Sequence, residues 1–239
     1  MKEIWIIANR ELKSFFNSLI AYILLIAFLG FSGFFTWISV ADVFMVGQTN
    51  MQSFFGIAYW SLFIFIPCLT MGLLAEETRS GTIELLLTKP VSHWQVIFGK
   101  FLSTLVLICI ALAFTLPYYV TIATLGPLDH GTVWTGYLGL ILMSASYTAI
   151  GLFASSISKN QIVAFLVAML IGIFFHIIFG VLAGNFNGPL GGFFGYLNLS
   201  THFESISRGV IDTKDLIYFF SLIAVSLVLA ESMLTRRRF

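Results

Sequence analysis

Few residues of this sequence could do chemistry, and they are far apart. Cys68 and Cys109 each lie inside an apolar run without a second metal-ligating side chain nearby, which predicts small buried residues rather than a disulfide or metal site. His176 and Glu231 fall within long apolar segments, where ionisable groups can carry protons or ions across a membrane. For His176 we favour a hydrogen bond between helices over a proton relay, and for Glu231 an interfacial position at a helix end.

The common catalytic and nucleotide-binding motifs are absent. Gly99 and Lys100 are followed by Phe101 and have no glycine five positions earlier, so they do not form a P-loop. The sequence contains neither His-Glu-x-x-His nor Gly-x-Ser-x-Gly. We therefore predict no catalytic residue, no metal and no cofactor, and expect that this chain is not an enzyme.

The most informative polar segment is Glu76–Pro90, with the sequence EETRSGTIELLLTKP. Gly81 and Pro90 bracket a stretch in which Thr82 can act as the N-cap of a helix and Glu84 lies in its positive first turn. The segment therefore predicts a helix of one or two turns between two long apolar segments.

So short a helix cannot bury Leu85, Leu86 and Leu87 against itself, and exposed apolar groups of this kind usually mark a docking site. The alternative, in which the leucines pack only against the protein's own membrane helices, stays open. Ser92 and Gln95 then predict a capping box that opens the next helix and joins the segment rigidly to it.

The composition requires a membrane. Hydrophobic residues make up 59% of the 239 residues and charged residues only 10%, against roughly 25% charged in a soluble domain. Such a chain cannot cover a water-facing surface with polar groups. The net charge of +1 gives no basic field for nucleic acid, so no nucleic-acid partner is predicted.

The length of the apolar stretches indicates helical spans. A bilayer core about 30 Å thick needs roughly 20 apolar residues in a helix, and the apolar residues here run continuously instead of alternating as in a strand. We predict an all-α integral membrane fold in a single transmembrane domain, residues 1–239. The six spans are predicted at about 19–40, 57–75, 101–125, 134–156, 162–183 and 216–234.

The basic residues predict both termini on the cytoplasmic side of a bacterial inner membrane. Only Arg208 and Lys214 fall on the opposite side. Ten basic residues fall on the cytoplasmic side: Lys2, Arg10, Lys13, Arg79, Lys89, Lys100, Lys159, Arg236, Arg237 and Arg238.

Two further segments are not spans. Residues 1–18 are predicted to form an interfacial helix, although a cytoplasmic extension of the first span stays open. Its apolar face is predicted to comprise Trp5, Ala8, Leu12, Phe15 and Leu19. Near the other end of the chain, the glycine-rich segment Gly184–Gly195 cannot be one regular helix and predicts a re-entrant excursion. Thr201 and Glu204 then predict a capping box for a short outer helix before the last span, which Gly209 can terminate.

Glu76–Ser92, leading to Gly99 and Lys100, resembles the cytoplasmic loop of ABC-2 type transporter permeases. The likeness extends to Arg10–Phe16, to His202–Asp212 and to the order of six spans. Within that family the chain is most similar to gliding-motility-associated permease subunits, with the permeases of copper-enzyme maturation as near relatives.

The resemblance implies the permease subunit of an ATP-driven exporter embedded in membrane lipids. It implies a second permease subunit, in a homodimer or a heterodimer, and two copies of a separate cytoplasmic ABC ATPase. It also assigns the loop as a coupling helix that transmits closure of the ATPase to the spans. The implied coupling residues are Glu76, Glu77, Arg79, Gly81, Thr82, Glu84, Leu85, Leu86, Lys89 and Pro90.

Two other classes of function stay open. A membrane scaffold would anchor a cytoplasmic ATPase without moving a solute. An ion-coupled carrier would need an intramembrane ionisable residue, for which His176 is the candidate.

Overall fold

A computed structural model describes residues 2–38, 50–82 and 91–236. Over these residues the chain forms helices and no strand, which confirms the all-α fold. The helices are α1 (Lys2–Asn17), α2 (Leu19–Trp37), α3 (Gln52–Thr70), α4 (Ala75–Ser80), α5 (His93–Ala113), α6 (Leu116–Leu125), α7 (His130–Ile157), α8 (Gln161–Ile173), a π-helical turn (Phe174–Ile178), α9 (Phe179–Asn185), α10 (Pro189–Leu197), α11 (Leu199–Ser207) and α12 (Thr213–Arg236).

Six helical segments of the described chain are long and apolar enough to cross a membrane, as predicted. We number them spans 1 to 6, and we call the end predicted to face the cytoplasm the inner end. They are Leu19–Trp37, Gln52–Ser80, His93–Leu125, His130–Ile157, Gln161–Asn185 and Thr213–Arg236.

Polar caps explain why some helices extend beyond the apolar stretches. α5 begins at His93 because Ser92 and Gln95 form the predicted capping box, in which Ser92 Oγ accepts from the Gln95 backbone N–H. The Gln95 side chain in turn accepts from the Ser92 N–H at 2.8 Å. Span 3 therefore starts about two turns before the predicted boundary near residue 101.

Span 3 is not one continuous helix. α5 ends at Ala113 and α6 begins at Leu116, with Pro117 in its first turn. Proline has no N–H to donate to the preceding turn, so it fits best in the first turn of a helix, where that donor is not needed. Thr115 occupies the break and donates its hydroxyl to the Leu112 carbonyl at 2.6 Å.

Span 4 is the centre of the fold. In the most apolar 18-residue stretch of span 4, 83% of the residues are buried, against 22% in spans 1 and 5 and 28% in span 6. Small residues allow this close packing, because a Cβ atom on Gly151 would overlap the side chain of Thr70 on span 2. Spans 1, 5 and 6 are peripheral and keep faces that the other described residues leave uncovered.

Helix α1 confirms the helix predicted over residues 1–18, and part of its predicted apolar face packs against the protein. Ile7 and Ala8 are buried, and a Cβ on Gly99 of α5 would overlap the Ile7 side chain. Trp5 is 62% exposed. Of the predicted apolar face, Ala8 is buried and Leu12 and Phe15 pack against the core, whereas Trp5 and Leu19 are exposed. The location of α1 at the membrane surface stays a prediction.

Two short helices lie between spans 5 and 6. The glycine-rich segment is not one helix, as predicted: α9 ends at Asn185, Gly188 has φ of +71°, and α10 starts at Pro189. The predicted start of the outer helix at Thr201 is wrong. α11 begins at Leu199, because the side chain of Asn198 accepts the Ser200 N–H at 3.3 Å and caps the helix earlier.

Candidate functional site

The candidate site is built around α4, the short helix at the inner end of span 2. Residues 71–74 form a turn after α3, α4 follows over Ala75–Ser80, and Gly81 ends it with φ of +73°. Such a left-handed conformation strains any residue with a Cβ, which accounts for the glycine. Glu76 and Glu77 lie in the first turn, where the helix dipole favours negative charge.

Lys100 joins α4 to span 3 and to α1. It is the only charged residue of span 3 and is 0% exposed. Its Nζ lies 2.9 Å from Glu77 Oε1 on α4 and 3.3 Å from Glu11 Oε1 on α1. A buried ammonium group is tolerated only when it is paired, so the two carboxylates are what allow Lys100 to occupy this position.

Arg10 adds a second cation on the α1 side. Its Nη2 lies 3.3 Å from Glu77 Oε1 and also contacts the carboxylate of the adjacent Glu11. Burial opposes the ionisation of Glu11, but Lys100 and Arg10 outweigh it and lower the pKa of the Glu11 carboxyl below its ordinary value. Glu11 is therefore ionised at neutral pH.

Ser155 on span 4 caps the start of α4. Its Oγ accepts the backbone N–H groups of Leu74 and Ala75, both at 3.0 Å, and donates to the Met71 carbonyl at 2.9 Å. The first N–H groups of a helix have no partner within the helix, and α4 has no N-cap side chain of its own. A residue from another span supplies the cap and ties α4 to the central helix.

Glu76 connects α4 to span 5. Gln161 donates from Nε2 to Glu76 Oε2 at 2.6 Å, and Arg79 pairs with Glu76 Oε1 at 3.1 Å. Through these contacts α4 is attached to α1 and to spans 3, 4 and 5. We call the residues that make these connections the inner polar cluster: Arg10, Glu11, Glu76, Glu77, Lys100, Ser155 and Gln161.

A cavity of about 530 Å³ lies beside the inner polar cluster. It is bounded by the corner between α1 and α2 on one side and by the inner end of span 2 on the other. Its wall is charged near Lys100 and apolar toward Ile20 and Leu69. Within the part of the chain that the structure describes, α4 therefore has this cavity on one side.

The predicted site residues fall into three groups. The structure brings Glu76, Glu77 and Arg79 into or next to the inner polar cluster. Gly81 ends α4, and Thr82 contacts Ser80, with 2.9 Å between the two hydroxyl oxygens, outside the cluster. Five predicted residues, Glu84, Leu85, Leu86, Lys89 and Pro90, lie outside the described residues, as does the predicted helix between Gly81 and Pro90.

The sequence did not point to Arg10, Glu11, Lys100, Ser155 or Gln161 as site residues. One signal was present, because a single lysine in a span without another charge must find its carboxylates on other elements. That signal selects Lys100, but it does not choose among the glutamates predicted at the inner end.

His176 has the structural role that we favoured. Its Nδ1 lies 2.7 Å from the Tyr147 hydroxyl of span 4, which confirms a hydrogen bond between helices. Its ring is stacked between Tyr59 and Phe63 of span 2, with ring centroids 4.2 and 4.3 Å away. Among the described residues no group of three His, Cys, Asp or Glu side chains could hold a metal ion.

Six apolar helices, with span 4 at the centre of the other five, define a multi-pass helical membrane protein. The family model of the ABC-2 family transporter protein matches residues 39–237. Because the match covers most of the 239 residues, the chain belongs to the ABC-2 transporter family and is a membrane permease of an ABC transporter. A comparison with curated protein sequences found no similar protein.

Proposed function

We propose that this chain is the permease subunit of an ATP-driven exporter and that a separate ABC ATPase docks from the cytoplasm on Glu76–Pro90. Family membership supports the permease and an ATPase partner. The observation that carries the coupling proposal is the 2.9 Å contact between Lys100 Nζ and Glu77 Oε1. It links the segment predicted to receive the ATPase with a membrane span.

The inner polar cluster distributes a push on α4 over the membrane domain. α4 continues span 2, Lys100 connects it to span 3, Ser155 to span 4 and Gln161 to span 5. When the ATPase closes on the segment after α4, these contacts require the inner ends of four spans to respond together. In this mechanism the permease converts closure of its partner into movement of its spans.

The inner polar cluster is also suited to rearrangement. It contains two cations, Arg10 and Lys100, and three carboxylates, Glu11, Glu76 and Glu77. Among the described residues Glu77 Oε2 is buried and has no hydrogen-bond partner, an arrangement that costs about 1–3 kcal/mol. The cavity of about 530 Å³ beside α4 gives the charged side chains of the cluster room to rearrange.

We propose two copies of the ATPase and a second permease subunit, in a homodimer or a heterodimer, in the inner membrane with both termini cytoplasmic. The outer faces of spans 1, 5 and 6, which have low burial, are available to lipid or to that second subunit. The resemblance to gliding-motility permeases leads us to propose cargo movement in that process, with copper-enzyme maturation as the alternative.

Co-purification with a candidate ABC ATPase tests the docking proposal. We expect Leu86→Asp and Glu84→Lys each to reduce the recovered ATPase at least about tenfold, a loss of about 1.4 kcal/mol in binding. Glu204→Lys, an exposed charge change on α11, is the control and should leave recovery unchanged. Undiminished recovery with both docking variants would rule out this segment as the ATPase site.

A second measurement, of whether the spans move with the nucleotide state of the ATPase, distinguishes the scaffold from the exporter. A scaffold predicts that the ATPase stays bound and hydrolyses ATP while the permease spans keep one conformation. The exporter predicts that the inner ends of the spans move with the nucleotide state.

A further inference from the structure

A second buried charged contact lies at the outer end of the molecule. His202 on α11 and Asp215 at the start of α12 are both almost fully buried, and His202 Nδ1 lies 2.7 Å from Asp215 Oδ1. The other ring nitrogen, Nε2, lies 2.9 Å from the Tyr196 carbonyl oxygen at the end of α10. One imidazole therefore joins three helices.

The geometry determines how many protons this contact holds. A carbonyl oxygen can only accept, so Nε2 of His202 carries a proton. The contact between Nδ1 and the Asp215 carboxylate needs a second proton, carried by one partner or the other. The pair thus holds two exchangeable protons and no net charge, and removing either side chain leaves the other buried without its partner.

Tyr218 completes the arrangement. Its ring stacks on His202 with centroids 4.0 Å apart and planes 18° apart, and its hydroxyl donates to the Leu197 carbonyl at 2.8 Å. The carbonyls of Tyr196 and Leu197, the last two residues of α10, thus accept from side chains of α11 and α12. These groups would otherwise be unsatisfied at the helix end.

Helix α11 covers the outer ends of several spans. Phe203 stacks on Tyr59 of span 2 with ring centroids 4.7 Å apart. The Ser200 hydroxyl donates to the His176 carbonyl of span 5 at 2.8 Å. A Cβ on Gly139 of span 4 would lie 3.3 Å from Phe203, which therefore packs directly against that span. The contact with Asp215 adds span 6.

We propose that His202 and Asp215 form a latch that holds α11 over the outer ends of spans 2, 4, 5 and 6, and that release of α11 opens the outer face of the permease. The statement about opening rests on the proposed function, whereas the latch does not. His202 is a positioning residue, since it acts by holding α11. The outer segment His202–Asp212 resembles the permease family but does not contribute to the inner polar cluster. The latch gives His202 of this segment a physical role.

Span 2 directly connects the inner polar cluster with α11 at the outer end of the molecule. Its outer half carries Tyr59 and Phe63, and its inner end leads into α4. The rings of Phe203, Tyr59, His176 and Phe63 stack in succession, with centroids 4.7, 4.2 and 4.3 Å apart. A displacement of span 2 by the ATPase would therefore press on α11 as well as on the inner polar cluster.

The test measures exposure of a residue beneath α11. In a full-length chain with Cys68→Ser and Cys109→Ser, Ile206→Cys introduces a thiol at a site that is 0% exposed. A membrane-impermeant maleimide is added from outside to vesicles with the native orientation. We expect His202→Gln and Asp215→Asn each to raise the labelling rate at least about tenfold, and the double variant to add little, because both changes release one contact. Asp215→Glu, which keeps the carboxylate, should restore slow labelling.

The neighbouring pair Glu204 and Arg208 provides the matched control. Glu204 lies in α11 and Arg208 directly follows the helix. Their charged groups are 2.9 Å apart, but both side chains are exposed. Glu204→Gln and Arg208→Gln should leave the labelling rate unchanged. Labelling that stays slow in both latch variants, or that rises equally in the controls, would overturn the latch.

A variant that fails to fold would not reach the membrane. A second measurement therefore leaves His202 and Asp215 unchanged. The Ile206→Cys chain, assembled with its ATPase, should label faster during ATP hydrolysis than without nucleotide. An equal rate in both conditions would overturn the opening step. Because the latch variants are labelled without the ATPase, their result stands apart from the success or failure of the proposed docking.

Discussion

The amine of Lys100, fully buried in span 3, lies 2.9 Å from Oε1 of Glu77 on the helix that continues span 2. Glu11 of α1 lies on the other side of the same amine, with its Oε1 atom 3.3 Å away. Three elements distant in sequence therefore share one buried positive charge. Loss of that charge affects all three, and the sharpest predictions concern this position.

Lys100→Met keeps most of the side-chain volume but removes the charge. Glu11 and Glu77 then face each other without their buried cation, and breaking a buried ion pair in this way costs about 3–5 kcal/mol. We expect a clearly lower melting temperature for the purified protein in detergent. Lys214→Met is the control, because Lys214 pairs with Asp212 at an exposed position and should change stability by less than about 1 kcal/mol. Equal losses in the two variants would contradict the account.

The lowered pKa of Glu11 predicts a pH dependence of stability. Because the folded-state pKa lies below the unfolded value, the unfolded chain binds this proton more readily. The contribution of Glu11 is fully present above its unfolded pKa of about 4.3 and is lost as the pH falls through the folded value. Thermal unfolding followed from pH 7 into this acidic range should show a shallower loss for Glu11→Gln than for the parent protein. Parallel curves would show that Glu11 is not held by Lys100 and Arg10.

Ser155→Ala removes the cap that span 4 provides for α4. The N–H groups of Leu74 and Ala75 then lose their acceptor, which costs about 0.5–2 kcal/mol. We expect faster hydrogen exchange at α4, measured by mass spectrometry, with little change in spans 3 and 4. Ser146→Ala is the matched control, since Ser146 is also buried in α7 but donates to Leu142 of its own helix. Unchanged exchange at α4 would remove Ser155 as its cap.

Gly151→Ala tests the packing of span 4 against span 2. The added methyl group would overlap Thr70, and such overpacking costs about 1–3 kcal/mol. Gly56→Ala provides the comparison because nothing lies within 4 Å of its Cβ position, and alanine favours a helix over glycine by about 1 kcal/mol. The melting temperature should fall for the first variant and stay level or rise for the second. The reverse order would mean that the two spans are not in close contact.

The sequence predicts much of the fold because the bilayer imposes a simple length rule. A stretch of roughly 20 apolar residues is sufficient to recognise a span. Local signals such as the capping box formed by Ser92 and Gln95 identify helix starts. The sequence does not define the break in span 3, because Pro117 alone indicates either a kink or a new start. The hydroxyl of Thr115, which bonds to the Leu112 carbonyl in the break, depends on the folded geometry.

The inner site was predicted only in part because its contacts join elements far apart in the chain. Glu76 and Glu77 are visible as charges beside an apolar segment, but their partners Lys100 and Gln161 come from other spans. The start of α11 illustrates the same point. Asn198 and Thr201 are both acceptable N-caps, and the choice of Asn198 accompanies the bond from Ser200 to the His176 carbonyl, which only the folded chain provides.

The most direct test of the coupling mechanism follows the distance between α1 and α4 as the ATPase works. Spin labels are placed at Lys13 and Ser80, both exposed, in a chain with Cys68→Ser and Cys109→Ser, and pulsed dipolar spectroscopy is recorded on the complex with its ATPase. Coupling through Lys100 predicts one distance distribution without nucleotide, a shifted one with ATP trapped, and loss of the shift in Lys100→Met while the ATPase stays bound. An identical distribution in both nucleotide states of the parent complex would contradict it.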